Sequence, residues 1–345
     1  MLHCALGDGI TLFTGDNAQG KTSILEAVCV LLRLQSPRTS TGRELARFGT
    51  SGFGIAGTLH GHELTHTTSG PDKKLLVNGE AVRRTADYLA ASGLVVWMGN
   101  GDLDLVSGSS EPRRRYLDFL GSQLFPEYRT TLMAYDKALR QRNFLLKRDA
   151  SPPWTEVDAY TAVLVTHGQI LLGLRGRLME KLAPHAAAAH AAIRAADPGS
   201  INPEHLTLTW QPGGDPENLL AQLLERRAEE ARRRLTVSGP HRDDFAAALD
   251  GLPAGTYASE GQQRTIALAL KLAQATLLHE ARGQPPILLL DDIFGELDPH
   301  RRNALLAALP SGSQKLITTT HLGWLDTQPL GVQRYQVQGG AISAK

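Results

Sequence analysis

Gly15-Asp16-Asn17-Ala18-Gln19-Gly20-Lys21-Thr22 fits the pattern G-x-x-x-x-G-K-[ST] at every specified position. An apolar run from Ile10 to Phe13 leads into it, as a strand would. Ile24, Leu25, Val28, Leu31 and Leu32 follow at the spacing of one helix face. Strand, glycine turn and helix in that order make a phosphate cradle. Glycines let the backbone curl until successive N–H groups face an anion, and the helix adds the partial positive charge of its N-terminus. Residues Gly15 to Thr22, with Ser23 beside them, are therefore the candidate phosphate-binding set. Within it Lys21 would reach the β- and γ-phosphates, and the Thr22 hydroxyl would ligate Mg²⁺.

Working outward, a chain of 345 residues has room for two lobes and a large core. A net charge of +1 leaves bulk composition silent on nucleic acid, so any basic surface must be local. Cys4 and Cys29 are the only cysteines, which implies no disulfide framework. No uninterrupted apolar stretch approaches the ~18 residues of a membrane span, and the N-terminus lacks a signal-peptide layout, so a cytoplasmic location is expected.

Residues 53–67 alternate loosely between turn-type glycines, and Asn78-Gly79 after Leu75-Leu76-Val77 is a hairpin turn signal; a β meander is predicted. A further apolar run, Leu94 to Met98, ends at Gly99-Asn100-Gly101-Asp102. From Glu111 to about Arg234 the pattern turns helical. Leu132, Tyr135, Leu139 and Leu146 keep heptad-like spacing with Arg142 at one seam position, and Leu164, Leu171, Leu174 and Leu178 resume the stripe beyond Pro152-Pro153. Two such helices suggest an antiparallel pair, or equally the packed helices of a second domain. The division expected from composition is an N-terminal lobe at 1–110, a helical insertion at 111–235 and a C-terminal return at 236–345.

The return holds the second half of a nucleotide site. Ile287 to Asp292 is a buried-strand pattern ending in two acids, and strands of open α/β sheets deliver their last side chains to the ligand-binding edge. Asp291 suits the Mg²⁺-linked carboxylate, and Asp292 the group that polarises attacking water. Ser259-Glu260-Gly261-Gln262-Gln263-Arg264 opens a helix and resembles the ABC-type signature, so Ser259, Gly261 and Gln262 form a second anion-binding candidate. Gly295-Glu296-Leu297-Asp298 is similar to the ABC D-loop, and His321 after Thr318-Thr319-Thr320 to the switch histidine. The fold class expected is α/β: an ABC-type P-loop ATPase head, mixed β-sheets around helices, with an inserted helical arm.

Segments beyond the ATPase parts resemble the RecF family of ABC/SMC-type ATPases over nearly the whole chain. They include Ser36-Pro37-Arg38-Thr39, Arg43-Glu44-Leu45, Asp102 to Gly108, and Arg113-Arg114-Arg115-Tyr116-Leu117-Asp118. They continue with Ala138 to Asn143, Val237 to Asp244, and Ala258 to Lys271. The resemblance implies a protein of DNA repair and replication that binds ATP and Mg²⁺, dimerises on ATP and binds gapped or junction DNA. It implies RecO and RecR as partners in loading RecA, and slow, regulatory ATP hydrolysis. It further implies that the signature of one subunit closes on the phosphates held by the other. Only about ten residues precede Thr11, where the family carries an extra strand pair that contributes to the adenine side of the pocket. Met98-Gly99-Asn100-Gly101 stands where the family usually has Pro-Glu, so the glutamine loop is not identifiable.

Arg113, Arg114 and Arg115, with Arg140 and Arg142, are the leading DNA-contact candidates; Lys147-Arg148 and Arg232-Arg233-Arg234 are the other basic runs. Phosphate contacts from such residues give salt-sensitive, sequence-independent affinity, whereas the alternative is solvated helix faces. A transporter's ATP-hydrolysing subunit carries a shorter helical subdomain. An SMC-type structural protein needs a far longer coiled coil. A P-loop small-molecule kinase gives no reason for the signature at Ser259.

Overall fold

A computed structural model describes residues 3–39, 41–148, 151–195, 204–297, 299–320 and 332–345, with the side chains of Glu296 and Pro299 left out. By compactness the chain divides at 101/102 and 277/278. One unit holds the residues up to Gly101 together with those from Leu278 onward; the other is Asp102–Ala195 with the stretch that returns to Leu277. Composition instead changes at 110 and 235, because the helical pattern starts and stops there, while contacts keep the helix that follows Ser259 with the second unit.

In the first unit, β1 (Ile10–Thr14) feeds the glycine loop and α1 (Lys21–Arg33) leaves it. Leu25, Cys29, Val30, Leu31 and Leu32 are the buried apolar face of α1, so Cys29 packs as a core residue while Ile24 and Val28 are half-exposed. The meander follows as β2 (Gly52–Leu59), β3 (His62–Ser69), β4 (Asp72–Val77) and β5 (Glu80–Ala81), an antiparallel sheet in that order. Asn78 and Gly79 sit at φ 53° and 81° between Val77 and its partner Glu80. These are the positive angles a two-residue type I′ turn demands, and the reason Asn-Gly marks one. After α2 (Thr85–Ala91) comes β6 (Val95–Gly99), buried at every position.

The second unit is built on helices: α3 (Ser110–Leu124), α4 (Tyr128–Arg148) and α5 (Trp154–Ala195). Arg148 pairs with Glu156, Arg142 bonds Thr161, and Arg175 reaches Tyr128, so α4 and α5 run antiparallel on either side of the proline turn. Their seam buries Tyr128, Tyr135, Ala138, Leu164, Leu171 and Leu174. α5 is long and apolar enough to cross a membrane by length and composition alone, yet its buried residues, Val157 to Ile193, pack inside this unit. A three-stranded sheet, β7 (Leu206–Gln211), β8 (Asp244–Leu249) and β9 (Leu252–Pro253), stands with α6 (Leu219–Glu225), α7 (Arg227–Arg233) and α8 (Ala254–Tyr257).

The chain then passes along α9 (Glu260–Arg282) into the first unit, where it adds β10 (Ile287–Asp291), α10 (Pro299–Ala308), β11 (Lys315–Thr319), β12 (Gln333–Gln338) and β13 (Ala341–Ala344). The principal sheet runs β13-β12-β1-β11-β10-β6, parallel throughout except for the antiparallel edge strand β13. Of its inner strands β10 reads as a continuous apolar run, while β1 and β11 bury threonines among their apolar residues, because both faces of these strands are covered.

Candidate nucleotide site and the polar core of the second unit

Register in the parallel sheet brings the site together. Thr14, the last residue of β1, pairs with Thr319 at the end of β11, and Asp291 at the end of β10 pairs with Thr318 and with Gly99. The C-terminal ends of β1, β6, β10 and β11 therefore open at one edge, the place where parallel sheets bind ligands. The loop after Thr14 curls through positive φ at Gly15 (155°), Ala18 (63°) and Gly20 (99°), the geometry of an anion nest. A side chain at Gly15 would lie 2.2 Å from the Val337 carbonyl oxygen, so glycine is required there by space as well as by angle.

Lys21 is buried, and its Nζ donates to the carbonyls of Gly15 (2.6 Å) and Asp16 (2.7 Å). The cation is thus held inside the cradle by its own loop. Asp16, Asn17 and Ala18 are exposed, and the N-cap of α1 makes no side-chain bond. Gln19 ties the loop to the β12–β13 turn: its Oε1 accepts from Gly339 N–H at 2.7 Å and its carbonyl from Gly340 N–H at 3.2 Å. Thr22 Oγ1 donates to Asp291 Oδ1 at 2.8 Å, and Thr318 Oγ1 donates to the same oxygen at 2.8 Å. Asp292, at φ 54°, has its backbone N–H anchored by Thr318 Oγ1 (2.9 Å) and the Thr318 carbonyl (3.2 Å). Thr318 was not among the expected site residues; it lies three positions before the expected histidine, inside an unremarkable run of threonines. Among the described residues no cluster of three or more metal-binding side chains exists. Thr22 and Asp291 bring a hydroxyl and a carboxylate oxygen together at this edge. His321 and Asp298 lie outside the described residues, as does the side chain of Glu296.

Ser259 lies in the second unit, as the N-cap of α9. Its Oγ accepts from Gln262 N–H (3.3 Å) while its own N–H donates to Gln262 Oε1 (2.7 Å). This reciprocal pair is a capping box, legible as S-x-x-Q and the physical reason the helix starts at Glu260. Ser259 is exposed, Gly261 and Gln262 are half-buried, and Gln262 also donates to Glu204.

The basic candidates separate by burial. Arg142 is 1% exposed, forks onto both oxygens of the wholly buried Glu230 (2.9 and 2.6 Å) and bonds Thr161 and Thr236. It is withdrawn as a DNA contact: heptad spacing set it at the helical seam, and its charge is spent on an internal partner. Arg113 forks onto Asp244 (2.6 and 2.9 Å), and Arg114 donates to the Asp243 carbonyl. Arg115 and Arg140 remain exposed.

Arg142 and Arg113 belong to a larger polar core. Arg175, 2% exposed, donates to Asp118 (2.6 Å), Asp243 (2.7 Å), Tyr128 and the Pro240 carbonyl. Burial pushes the Asp243 carboxyl up despite the Arg175 guanidinium beside it. Asn143 accepts from Thr236, and Tyr135 Oη meets His241 Nδ1 at 2.6 Å while His241 Nε2 faces the Thr236 carbonyl. Burial keeps the ring neutral, so Nε2 donates to that carbonyl and Nδ1 accepts from Tyr135. Three sequence segments, 113–118, 138–143 and 237–244, thus meet around buried charges, and Asp102 likewise pairs with Lys271 at 2.8 Å. Arg175 escaped the sequence reading although a lone arginine at a buried position of an apolar helix stripe is a usable signal.

Burial lowers the His241 pKa from 6.5 to about 4. A depressed pKa means that the unfolded chain binds the proton more readily, so the stability it contributes is whole above pH 6.5 and lost as pH falls toward 4. Urea midpoints should therefore fall more steeply across that window for the parent than for His241→Gln, which keeps a donor and an acceptor but does not titrate. Parallel slopes would contradict the buried neutral ring.

A strand–glycine-loop–helix cradle beside an acid-ended parallel strand, in a mixed sheet, defines the class: a P-loop ATPase head of the ABC/SMC type with a long helical arm. A family model described as an AAA domain matches residues 2–84. The DNA replication and repair protein RecF of Synechococcus sp. (strain JA-3-3Ab) is 41% identical, over 96% of this chain and 91% of its own length. A solved structure of the recombination mediator protein RecF–ATPrS, in the RecFOR pathway, superposes with a TM-score of 0.85 at 26% identity, covering 99% of this chain and 93% of that one. An Smc head domain from Pyrococcus furiosus, bound to the C-terminal domain of ScpA, shares the fold at a TM-score of 0.52 and 14% identity, with 99% and 90% covered. The chain belongs to the RecF family of DNA replication and repair proteins.

Proposed function

We propose that this chain is an ATP-dependent DNA-binding repair protein that dimerises on ATP, binds single-strand gaps and double-strand/single-strand junctions, and helps load RecA with RecO and RecR. ATP hydrolysis is slow and serves release. The convergence of Lys21, Thr22 and Asp291 at one sheet edge carries the reading. Similarity to the RecF–ATPrS structure supports the nucleotide, and the RecFOR pathway of that relative supports the partners.

On this reading Lys21 exchanges its two loop carbonyls for phosphate oxygens, and the loop N–H groups and α1 N-terminus complete the cradle. Thr22 and Asp291 would hold Mg²⁺, which would supply positive charge to offset that of the phosphates. Asp292, fixed by Thr318, aligns the attacking water and accepts its proton. Ser259, Gly261 and Gln262 of a second copy cover the γ-phosphate, so nucleotide and dimer stabilise one another by mass action. His321 would read the γ-phosphate, as its place after β11 resembles the switch histidine. Arg115 and Arg140 supply exposed cations for DNA phosphates. The expected domain roles follow: the two lobes at 1–110 and 236–345 act as one ATPase head and 111–235 as its arm.

Sedimentation of the chain with a gapped duplex, with and without ATP, tests the proposal. Binding should require ATP and weaken steeply with salt, because phosphate contacts release counterions. Equal binding in the presence and absence of nucleotide would contradict the coupling.

A further inference from the structure

In the first unit, the described residues between α1 and β2 are tied together by hydrogen bonds, yet the nucleotide site makes no use of the tip they form. Ser36 Oγ donates to Glu26 and accepts from the N–H groups of Arg38 and Thr39, and the Thr39 hydroxyl bonds the Glu44 carboxylate. Arg47 to Thr50 then closes a tight turn. Thr50 N–H donates to the Arg47 carbonyl at 3.0 Å, Thr50 Oγ1 to the same carbonyl at 2.7 Å, and Gly49 takes φ 83°. Positive φ at the third position is the type II requirement that glycine meets. The residue this turn lifts to its apex is Phe48, whose ring is fully exposed. Arg47 precedes it directly and Arg43 lies five residues before it, both exposed and without an acidic partner among the described residues; Glu44, the acid between them in the chain, is engaged by Thr39.

We propose that Phe48 is a base-stacking finger: its ring stacks on an unpaired base of DNA while Arg43 and Arg47 take the adjoining phosphates. This deepens, and rests on, the DNA-binding reading above. A protein partner would ask for more than one apolar residue, since interface anchors sit within a packed, water-excluding surround. From Gly42 to Ser51 the other apolar side chains are Leu45 and Ala46, both half-buried, and the remaining residues are glycine, polar or charged and exposed. A lone aromatic face with guanidinium groups beside it matches what one base and its phosphates require, and every base offers a π-face, so the contact is indifferent to sequence. The hydrogen-bonded turn holds the ring out in advance, which reduces the ordering cost of the contact.

The experiment uses the full chain with ATP and two probes: a gapped duplex with 2-aminopurine at the first unpaired position, and the same duplex without a gap. The parent should change the 2-aminopurine fluorescence on binding. Phe48→Ala should lose that signal and bind the gapped probe roughly tenfold more weakly, the scale of one stacked base. It should bind the ungapped duplex and ATP as the parent does, and Phe48→Trp should restore both signal and affinity. A Phe48→Ala protein that keeps parental affinity and signal overturns the finger while leaving DNA binding standing. If Phe48→Ala instead lowers ATP-induced dimerisation without DNA, the tip is a contact between copies and the finger is likewise overturned. A parent that binds neither probe removes the DNA reading and the finger together.

Discussion

Lys21→Ala is expected to abolish tight ATP binding and, with it, ATP-induced dimerisation. The Nζ is buried inside the loop and already makes two short bonds to the Gly15 and Asp16 carbonyls, so the cation is in place before any phosphate arrives. Its bonds to phosphate oxygens would be charged on both sides, each contributing about 1.5–3 kcal/mol. Losing two such bonds weakens binding by roughly two orders of magnitude or more. The cradle should survive, since Gln19 remains bonded to Gly339 and Gly340 and Thr22 to Asp291. Equilibrium binding of a fluorescent ATP analogue measures the loss. Parental affinity in the variant would mean that the loop does not hold the triphosphate.

Asp292→Asn should do the opposite to the dimer. Asparagine is nearly isosteric, and the backbone N–H that Thr318 anchors is retained, so ATP, Thr22 and Asp291 are undisturbed. The carboxylate that would take a proton from water is gone, and loss of a general base costs about 10²–10⁴ in rate. Turnover should fall by that factor while ATP stays bound and the dimer accumulates. Single-turnover phosphate release read beside sedimentation separates the two effects. A variant hydrolysing at the parental rate would assign the water to another group.

Much of this was open to reading in the chain itself, wherever the local chemistry is self-contained. The cradle needs only consecutive glycines, a lysine and a helix. Asn78-Gly79 needs only its own two positive φ values, and the acid-ended strand needs only a run of apolar residues. The fate of the arginines was not legible, because it depends on partners far away in sequence. Arg142 meets Glu230 88 residues later and Arg175 meets Asp243 68 residues later, and no periodicity foretells which cation will find a buried acid. The β12–β13 hairpin also escaped notice. β12 mixes glutamines with Arg334, Tyr335 and Val337 and β13 is only four residues long, so neither is an apolar run, yet the turn between them holds Gln19.

The central claim is that a triphosphate held by one copy is closed over by the Ser259 helix end of another. Ser259→Arg tests it most directly, because the side chain is exposed and the change leaves the P-loop untouched. The substitution removes one capping box, a loss of about 1 kcal/mol that a 23-residue helix tolerates. Sedimentation velocity with ATP should show the parent as a dimer and Ser259→Arg as a monomer that still binds ATP, with the affinity the parent has at concentrations too low for it to dimerise. A Ser259→Arg protein that dimerises on ATP as readily as the parent would contradict the account.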